Sequence, residues 1–187
     1  MNGRPFLHLA PSAIERNFRI NLLSHYHTIQ TFLPGMLNRP LGGTIVTISS
    51  VLGNLGASHL SDYAAAKAGL TAMHASLRSE LASMASLPDA KPGAKNIRTV
   101  LVKPGQLTTQ MFNSIETPNN FLGPVVEGVE LAKAIVATVY EGRSGVIALP
   151  LYAGYIEWMG ILPYGLQRIA RWVSGVDRAM EGFSTAR

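Results

Sequence analysis

Three short apolar runs rich in β-branched residues alternate with helical segments, and this alternation restricts the fold more than any other feature of the chain. The runs are 44–49, 97–102 and 145–149, and helices are predicted over about 13–37, 61–84 and 125–140. Strands that alternate with helices form a parallel sheet with helices on both faces. The sequence therefore predicts an α/β fold, with a main domain over 1–150 and an apolar, basic helical tail over 151–187.

The ends of the first predicted helix carry local signals. Ser12 is expected to cap it, because Glu15 stands at the position of a capping-box acid. Pro34 and Gly35 are expected to kink or end it, since proline lacks the backbone N–H that continues a helix.

Ser50, Tyr63 and Lys67 form the most informative constellation for function. Twelve residues separate Ser50 from Tyr63, and Lys67 follows Tyr63 by one helical turn. A lysine ammonium beside a phenol favours the phenolate, so we expect Lys67 to lower the pKa of Tyr63. A serine beside them can hydrogen-bond the same substrate oxygen. The three side chains predict a proton-exchange site for alcohol–carbonyl interconversion, although Tyr63 and Lys67 also suit an ordinary surface pair on a helix.

This constellation resembles the active site of the short-chain dehydrogenase/reductase family, whose pattern is a serine, about a dozen residues, and then Tyr-x-x-x-Lys. The resemblance covers roughly 13–150 and implies a Rossmann-like fold with NAD or NADP as the cofactor. It also implies that Lys67 bonds the nicotinamide ribose. Residues 27–34 and 109–112 look closest to a membrane-associated subgroup that acts on retinoids, steroids and other lipids.

Four further positions match the family pattern. Asn21 matches the asparagine that perturbs its helix and maintains a proton relay in relatives, although a solvated helix residue would read the same way. Pro104 and Gly105 match the motif that contacts the nicotinamide carboxamide. By the same alignment Thr109 is the threonine that contacts the cofactor, and Thr108 is an alternative for this role. The competing structural interpretation is that Thr109 only caps a turn.

One family element is missing from the sequence. The chain contains no Gly-x-x-x-Gly-x-Gly and no Gly-x-Gly-x-x-Gly, the turns whose backbone N–H groups bind a pyrophosphate. The expected fold is therefore a Rossmann-like parallel sheet with flanking helices that lacks the N-terminal cofactor-binding strands. Its first strand would expose an edge. The choice between NAD and NADP lies with a residue after the family's second strand, which this sequence lacks.

Amino-acid composition and the C-terminal tail indicate which kinds of partner the chain can bind. Charged residues make up 14% of the chain and the net charge is +5, but no run of Lys and Arg marks a nucleic-acid face. Residues 146–162 are apolar apart from Glu157 and too interrupted to span a bilayer. Aromatic and arginine residues nearby favour membrane-surface contact through 146–173, and a substrate lid or a homodimer contact is the competing reading.

Other site types are not expected. No cysteine is present, and the side chains of His25 and His27 diverge on a helix, so no metal site is predicted. No Gly-x-Ser-x-Gly elbow surrounds Ser50, which disfavours a hydrolase.

The N-terminus has no long apolar stretch typical of a secretory signal. We expect an intracellular location, either cytoplasmic or peripheral on the endoplasmic reticulum or a lipid droplet.

Two functional hypotheses follow. The first is an NAD(P)-dependent oxidoreductase that interconverts a small lipophilic alcohol and its carbonyl through Ser50, Tyr63 and Lys67. The second is a truncated, non-catalytic family remnant that acts as a binding or interaction module, because the pyrophosphate turn is absent. Saturable cofactor binding by these 187 residues separates the two.

Overall fold

A three-stranded parallel sheet with helices on both faces organises the molecule. The computed structural model describes residues 2–108 and 124–175. Within them the elements in chain order are α1 Pro11–Phe18, a π-helical turn Arg19–Leu23, α2 Ser24–Asn38, β1 Gly43–Ile48, α3 Leu52–Leu55, α4 Ser61–Ser86, β2 Ile97–Pro104, α5 Gly128–Tyr140, β3 Gly145–Leu149 and α6 Tyr164–Ser174. The predicted parallel α/β sheet with flanking helices is confirmed.

The strands lie in the order β1-β2-β3, so β2 is central and β1 is an edge. Gly43 of β1 pairs with Ile97 of β2, and the parallel register continues to Ile48 opposite Val102. In the described residues the other edge of β1 has no strand beside it. The expectation of an exposed edge at the first strand agrees with this arrangement.

The helical segment that precedes β1 runs from Pro11 to Asn38, close to the predicted range 13–37. Its N-cap and its internal proline differ from the sequence expectation. Ala10 is the N-cap and Pro11 occupies the first helical position, so Ser12 lies inside the first turn and caps nothing. Pro34 and Gly35 do not end the helix, because α2 continues through both to Asn38. The helix ends where Arg39 adopts an extended conformation, since the residue before Pro40 is disfavoured in helical geometry.

The predicted helix over 125–140 begins three residues late because its first residues pair with a distant segment of the chain. Val126 forms an isolated parallel bridge with Leu107, and its backbone N–H donates to the Gln106 carbonyl at 2.9 Å. These residues are therefore extended, and α5 begins at Gly128.

The two faces of the sheet bury different side chains. On one face Val100 and Val102 of β2 pack with Val126 and Leu131, and Val46 of β1 joins them. The neighbouring residue Thr47 points to the opposite face, as successive strand residues do. There its hydroxyl meets Nδ1 of His74 on α4 at 2.8 Å. Helices α5 and α4 thus cover opposite faces of the sheet.

Burial of His74 makes folding sensitive to acid. Burial, assisted by the positive charges of Arg78 and Lys103, lowers the pKa of His74 below its ordinary value of 6.5. Burial and the charge of Lys67 also lower the pKa of His25. The unfolded chain then binds protons near pH 6.5 that the folded chain does not. Stability is complete above this pH and falls as the pH drops from about 6.5 through the folded values.

We expect His74→Asn to reduce this acid sensitivity, because asparagine can still hydrogen-bond Thr47 but does not titrate. The measurement is the free energy of unfolding in urea at pH 7.5 and pH 5.5. The difference between the two pH values should be smaller in the variant than in the wild-type chain, with the His25 contribution remaining. An equal difference in both proteins would contradict the assignment.

Candidate active site

Ser50 lies at the carboxyl end of β1 because the strand ladder continues past the strand itself. The N–H of Ser49 donates to the Val102 carbonyl at 2.8 Å, and the N–H of Val51 donates to the Pro104 carbonyl at 3.1 Å. Ser50 is therefore held between two bonds to β2 at the edge of the sheet. Carboxyl ends of parallel strands are the usual position of ligand sites in such folds.

The neighbouring Ser49 ties this strand end to α4. Its hydroxyl donates to the Lys67 carbonyl at 3.0 Å and lies 2.8 Å from the Thr71 hydroxyl. Gly53 allows the following turn to approach the same helix, because a Cβ there would stand 2.9 Å from the Lys67 carbonyl carbon. The end of β1, α3 and α4 consequently pack together around Lys67.

Tyr63 is fixed by the start of α4. The Asp62 carboxylate accepts a hydrogen bond from the Tyr63 N–H at 2.8 Å through Oδ1. Its other oxygen accepts from the Asn2 side-chain amide at 2.6 Å, and that amide also donates to the Ala13 carbonyl. Asp62 is buried, so the first turn of α4 is anchored to the N-terminal segment.

The structure brings Ser50, Tyr63 and Lys67 together as a buried group. The Ser50 hydroxyl accepts from the Leu52 N–H at 3.2 Å, and it lies close enough to the Tyr63 phenol to lower the pKa of that group. The Lys67 ammonium donates to the Ile48 carbonyl at 2.9 Å and lies 5.7 Å from the centre of the Tyr63 ring. A serine and a tyrosine hydroxyl in contact, with a lysine one turn away, can share the proton of a single oxygen atom.

Electrostatics at the group differ from the expectation in one respect. Burial raises the pKa of Tyr63 above 10.0, and the hydrogen bond from Ser50 only partly offsets this. Burial likewise lowers the pKa of Lys67. The expected lowering of the Tyr63 pKa was therefore wrong for this structure, because loss of solvent is the largest effect on the phenol. At neutral pH Tyr63 holds its proton.

Asn21 lies in the π-helical turn Arg19–Leu23. Its side-chain amide donates to the backbone and side-chain oxygens of Asn17, at 3.1 and 2.5 Å. The turn packs on α4, where Gly69 leaves room for Leu22; a Cβ at Gly69 would stand 3.1 Å from that side chain. The described residues show no hydrogen bond between Asn21 and Lys67. Helix perturbation at Asn21 matches the expectation, and its role in a proton relay stays a prediction.

Pro104 and Gly105 lie next to Ser50 at the end of β2. The Pro104 carbonyl accepts the Val51 N–H, and the Gly105 N–H donates to the Leu149 carbonyl at 2.7 Å. A Cβ on Gly105 would stand 2.6 Å from the Tyr152 hydroxyl, so only glycine fits there. Thr109 lies outside the described residues, and the Thr108 hydroxyl donates to Glu127 at 3.0 Å.

The tail closes over the loop after Ser50 through contacts that the sequence pattern did not identify. Ala153 and Ile156 pack on Val51. Glu157 forms an ion pair with the buried Lys103. The Arg171 guanidinium donates to the Leu55 and Gly56 carbonyls at 2.7 and 3.0 Å. The lone charge of Glu157 in an apolar run was the one available signal; the partners of Arg171 are over 100 residues away and left none.

Comparison with known proteins identifies the family. The model of the short chain dehydrogenase family matches residues 1–120 of this chain. The chain therefore belongs to the short-chain dehydrogenase/reductase family, as the Ser50, Tyr63 and Lys67 pattern indicated. The family matches well over half of the 187 residues.

Relatives and a solved structure agree with this assignment. Uncharacterized oxidoreductase TDA5 of Saccharomyces cerevisiae is 36% identical over 88% of this chain and 48% of its own length. Human retinol dehydrogenase 10 is 29% identical over 100% of this chain and 53% of its own. The chain thus spans about half the length of these relatives. A short-chain dehydrogenase from Streptomyces avermitilis matches with a TM-score of 0.65 and 21% identity, covering 90% of this chain and 64% of that chain. This match confirms the Rossmann-like fold.

Over residues 2–108 and 124–175, every helix is either too short or too polar to cross a bilayer.

We expect Arg171→Ala to loosen the tail from the loop after Ser50. Loss of charged hydrogen bonds to two carbonyls should cost about 1–3 kcal/mol of unfolding free energy. It should also speed proteolytic cleavage within 151–175. The matched control is Arg168→Ala on the exposed side of α6, for which surface substitutions predict a change within about 0.5 kcal/mol. Equal effects of the two variants would show that the Arg171 contacts do not hold the tail.

Proposed function

We propose that this chain is the catalytic part of an NAD(P)-dependent oxidoreductase that interconverts an alcohol and a carbonyl. The observation that carries the proposal is the burial of Ser50, Tyr63 and Lys67 in one group at the carboxyl end of β1, with the Lys67 ammonium 5.7 Å from the centre of the Tyr63 ring. Buried titratable groups with shifted pKa values, gathered at a sheet's carboxyl edge, are the arrangement expected of a general acid–base site.

Each of the three side chains has a distinct role in this proposal. Tyr63 gives its proton to the carbonyl oxygen during reduction and takes it back during alcohol oxidation. The raised pKa of Tyr63 keeps that proton in place at neutral pH, which suits reduction. Ser50, oriented by the Leu52 N–H, donates to the same substrate oxygen and stabilises the charge that develops on it. Lys67 supplies positive charge as Tyr63 loses its proton, and Asn21 maintains the proton path toward it.

The nicotinamide end of NAD or NADP fits the residues present. When bound, that cofactor would supply or accept the hydride. Lys67 has three N–H donors and uses one on the Ile48 carbonyl, so it retains donors for a ribose hydroxyl. Tyr63, Pro104, Gly105 and Thr109 would complete the contacts. The pyrophosphate end does not fit in the same way, because the sequence contains no glycine-rich phosphate turn.

We further propose a lipophilic substrate and an intracellular site of action, in the cytoplasm or on the surface of the endoplasmic reticulum or a lipid droplet. The support is the similarity to a protein named retinol dehydrogenase 10 and the aromatic tail beside the Ser50 loop. Both the substrate class and the location are inferred from this similarity and from the tail.

We expect Tyr63→Phe to lower kcat by roughly 10²–10⁴-fold, the usual contribution of a positioned general acid. The assay follows NADH and NADPH oxidation with a panel of lipophilic aldehydes and ketones. Tyr26→Phe, which removes an exposed hydroxyl on α2, is the matched control and should keep the wild-type rate. Retained turnover by Tyr63→Phe would exclude Tyr63 as the proton donor.

A second candidate function is a non-catalytic binding or interaction module. The absence of the glycine-rich turn from the sequence favours it, and so does the exposed edge of β1 in the described sheet. In this case the three site residues would be present without a cofactor to serve.

Cofactor titration distinguishes the two candidates. If the chain is an enzyme as it stands, nicotinamide fluorescence should saturate as NADH or NADPH is added to the purified 187-residue chain. Lys67→Met should weaken this binding markedly, since it removes the proposed ribose contact but keeps the length of the side chain. A folded chain, judged by circular dichroism, that binds neither nucleotide would favour the interaction module.

A further inference from the structure

Helix α6 (Tyr164–Ser174) has its apolar side turned away from the protein. Leu166, Ile169, Trp172 and Val173 are 51, 59, 76 and 50% exposed. At 100° per residue these four positions share one side of the helix. A surface helix of a globular protein normally places such a side against the core.

The opposite side of α6 is small and polar, and it faces the body of the molecule. Gln167, Ala170, Arg171 and Ser174 are the partly buried residues of the helix. Arg171 is bonded to the Leu55 and Gly56 carbonyls, and Gln167 donates to the Leu162 carbonyl at 2.7 Å. These hydrogen bonds fix the orientation of the helix, so the outward apolar side is a consequence of bonded geometry.

The apolar exposure continues through the turns that precede α6. Leu151, Tyr155, Trp158, Ile161 and Tyr164 are each more than half exposed. Together with the outward side of α6 they form what we call the apolar tail surface. Exposed apolar patches with several aromatic side chains mark interaction sites rather than ordinary solvent-facing surface. Tyrosine and tryptophan in particular are enriched where protein meets the headgroup layer of a membrane.

The charges around the apolar tail surface favour a lipid bilayer over another protein as its binding partner. Residues 151–175 contain one acidic side chain, Glu157, and its charge is compensated by Lys103. Arg168 is exposed at the side of the helix next to Trp172. The surface is therefore apolar with a positive margin and no free negative charge from these residues, and the chain as a whole carries +5. This combination complements anionic lipid headgroups.

We propose that the apolar tail surface docks on the interface of an anionic lipid bilayer, with α6 lying in the plane of the membrane. The helix has eleven residues, far fewer than the roughly 20 needed to span a bilayer. A helix of this kind buries its apolar side by about 5–10 Å into the headgroup and acyl boundary. Because Arg171 bonds the loop after Ser50, docking would place that loop near the membrane; this consequence alone rests on the proposed function.

The two tryptophans of the chain provide a direct probe, since Trp158 and Trp172 both belong to the apolar tail surface. The wild-type chain is titrated with vesicles of phosphatidylcholine alone and of phosphatidylcholine with 30% phosphatidylserine, a fraction of roughly the order of anionic leaflets. We expect a blue shift of tryptophan emission and co-sedimentation, stronger with phosphatidylserine and weakened by salt. No blue shift and no co-sedimentation with either vesicle would overturn the proposal.

A matched pair of variants locates the contact. Leu166→Ser with Ile169→Ser keeps both tryptophans and should weaken vesicle partitioning roughly tenfold or more, because two buried apolar side chains are lost. The control is Val129→Ser with Val136→Ser, which alters two equally exposed valines on α5 (63 and 64%) and should leave partitioning unchanged. Equal weakening by both pairs would overturn the assignment to the tail. Circular dichroism of each variant confirms folding.

Light scattering without lipid tests the rival occupant. A dimeric wild-type chain that becomes monomeric in the Leu166→Ser, Ile169→Ser variant, with no vesicle binding by either, would assign the surface to a second copy and overturn the lipid proposal. Vesicle binding needs neither cofactor nor turnover. Failure of the oxidoreductase proposal would therefore leave this result unaffected, and failure to bind lipid would leave the activity assays unaffected.

Discussion

The contact of the Ser49 hydroxyl with α4 is the interaction on which the candidate site depends. It joins the end of β1 to the Lys67 carbonyl and the Thr71 hydroxyl. Two further bonds join the same elements, from the Lys67 ammonium to the Ile48 carbonyl and between His74 and Thr47. The backbone bonds of Ser49 and Val51 to β2 add the second constraint. The positions of the three candidate side chains thus follow largely from hydrogen bonds made by their neighbours, to which Ser50 and Lys67 add one bond each.

Burial of this group has a cost that explains its electrostatics. Tyr63, Lys67 and Lys103 all lie at the carboxyl edge of the sheet and are all buried. Loss of water raises the pKa of Tyr63 and lowers the pKa values of the two lysines. Hydrogen bonds to Ser50 and Ile48 and the ion pair with Glu157 offset part of that cost. Groups with shifted pKa values gathered at one place are often found at functional sites.

The tail connects this buried chemistry to the molecular surface. Its inner contacts, from Ala153, Glu157 and Arg171, all reach the strand ends or the loop after Ser50. Its outer side is apolar and aromatic. The tail therefore connects any surface that binds its tryptophan-bearing outer side to the loop after Ser50.

The sequence by itself determined the elements and the family. β-branched runs and helical segments gave three parallel strands within a few residues, because period and composition are local properties of a chain. The spacing of Ser50, Tyr63 and Lys67 predicted that these residues would meet for the same reason: one helical turn and one strand end fix which residues can come together. Helix starts at Ser12 and 125–127 were missed where Pro11 or a bridge to Leu107 overrode the local signal. Only the tertiary structure decided the direction of the Tyr63 pKa, the pairing of Glu157 with Lys103 and the outward turn of α6. These depend on burial and on contacts between residues far apart in the chain, which no local pattern encodes.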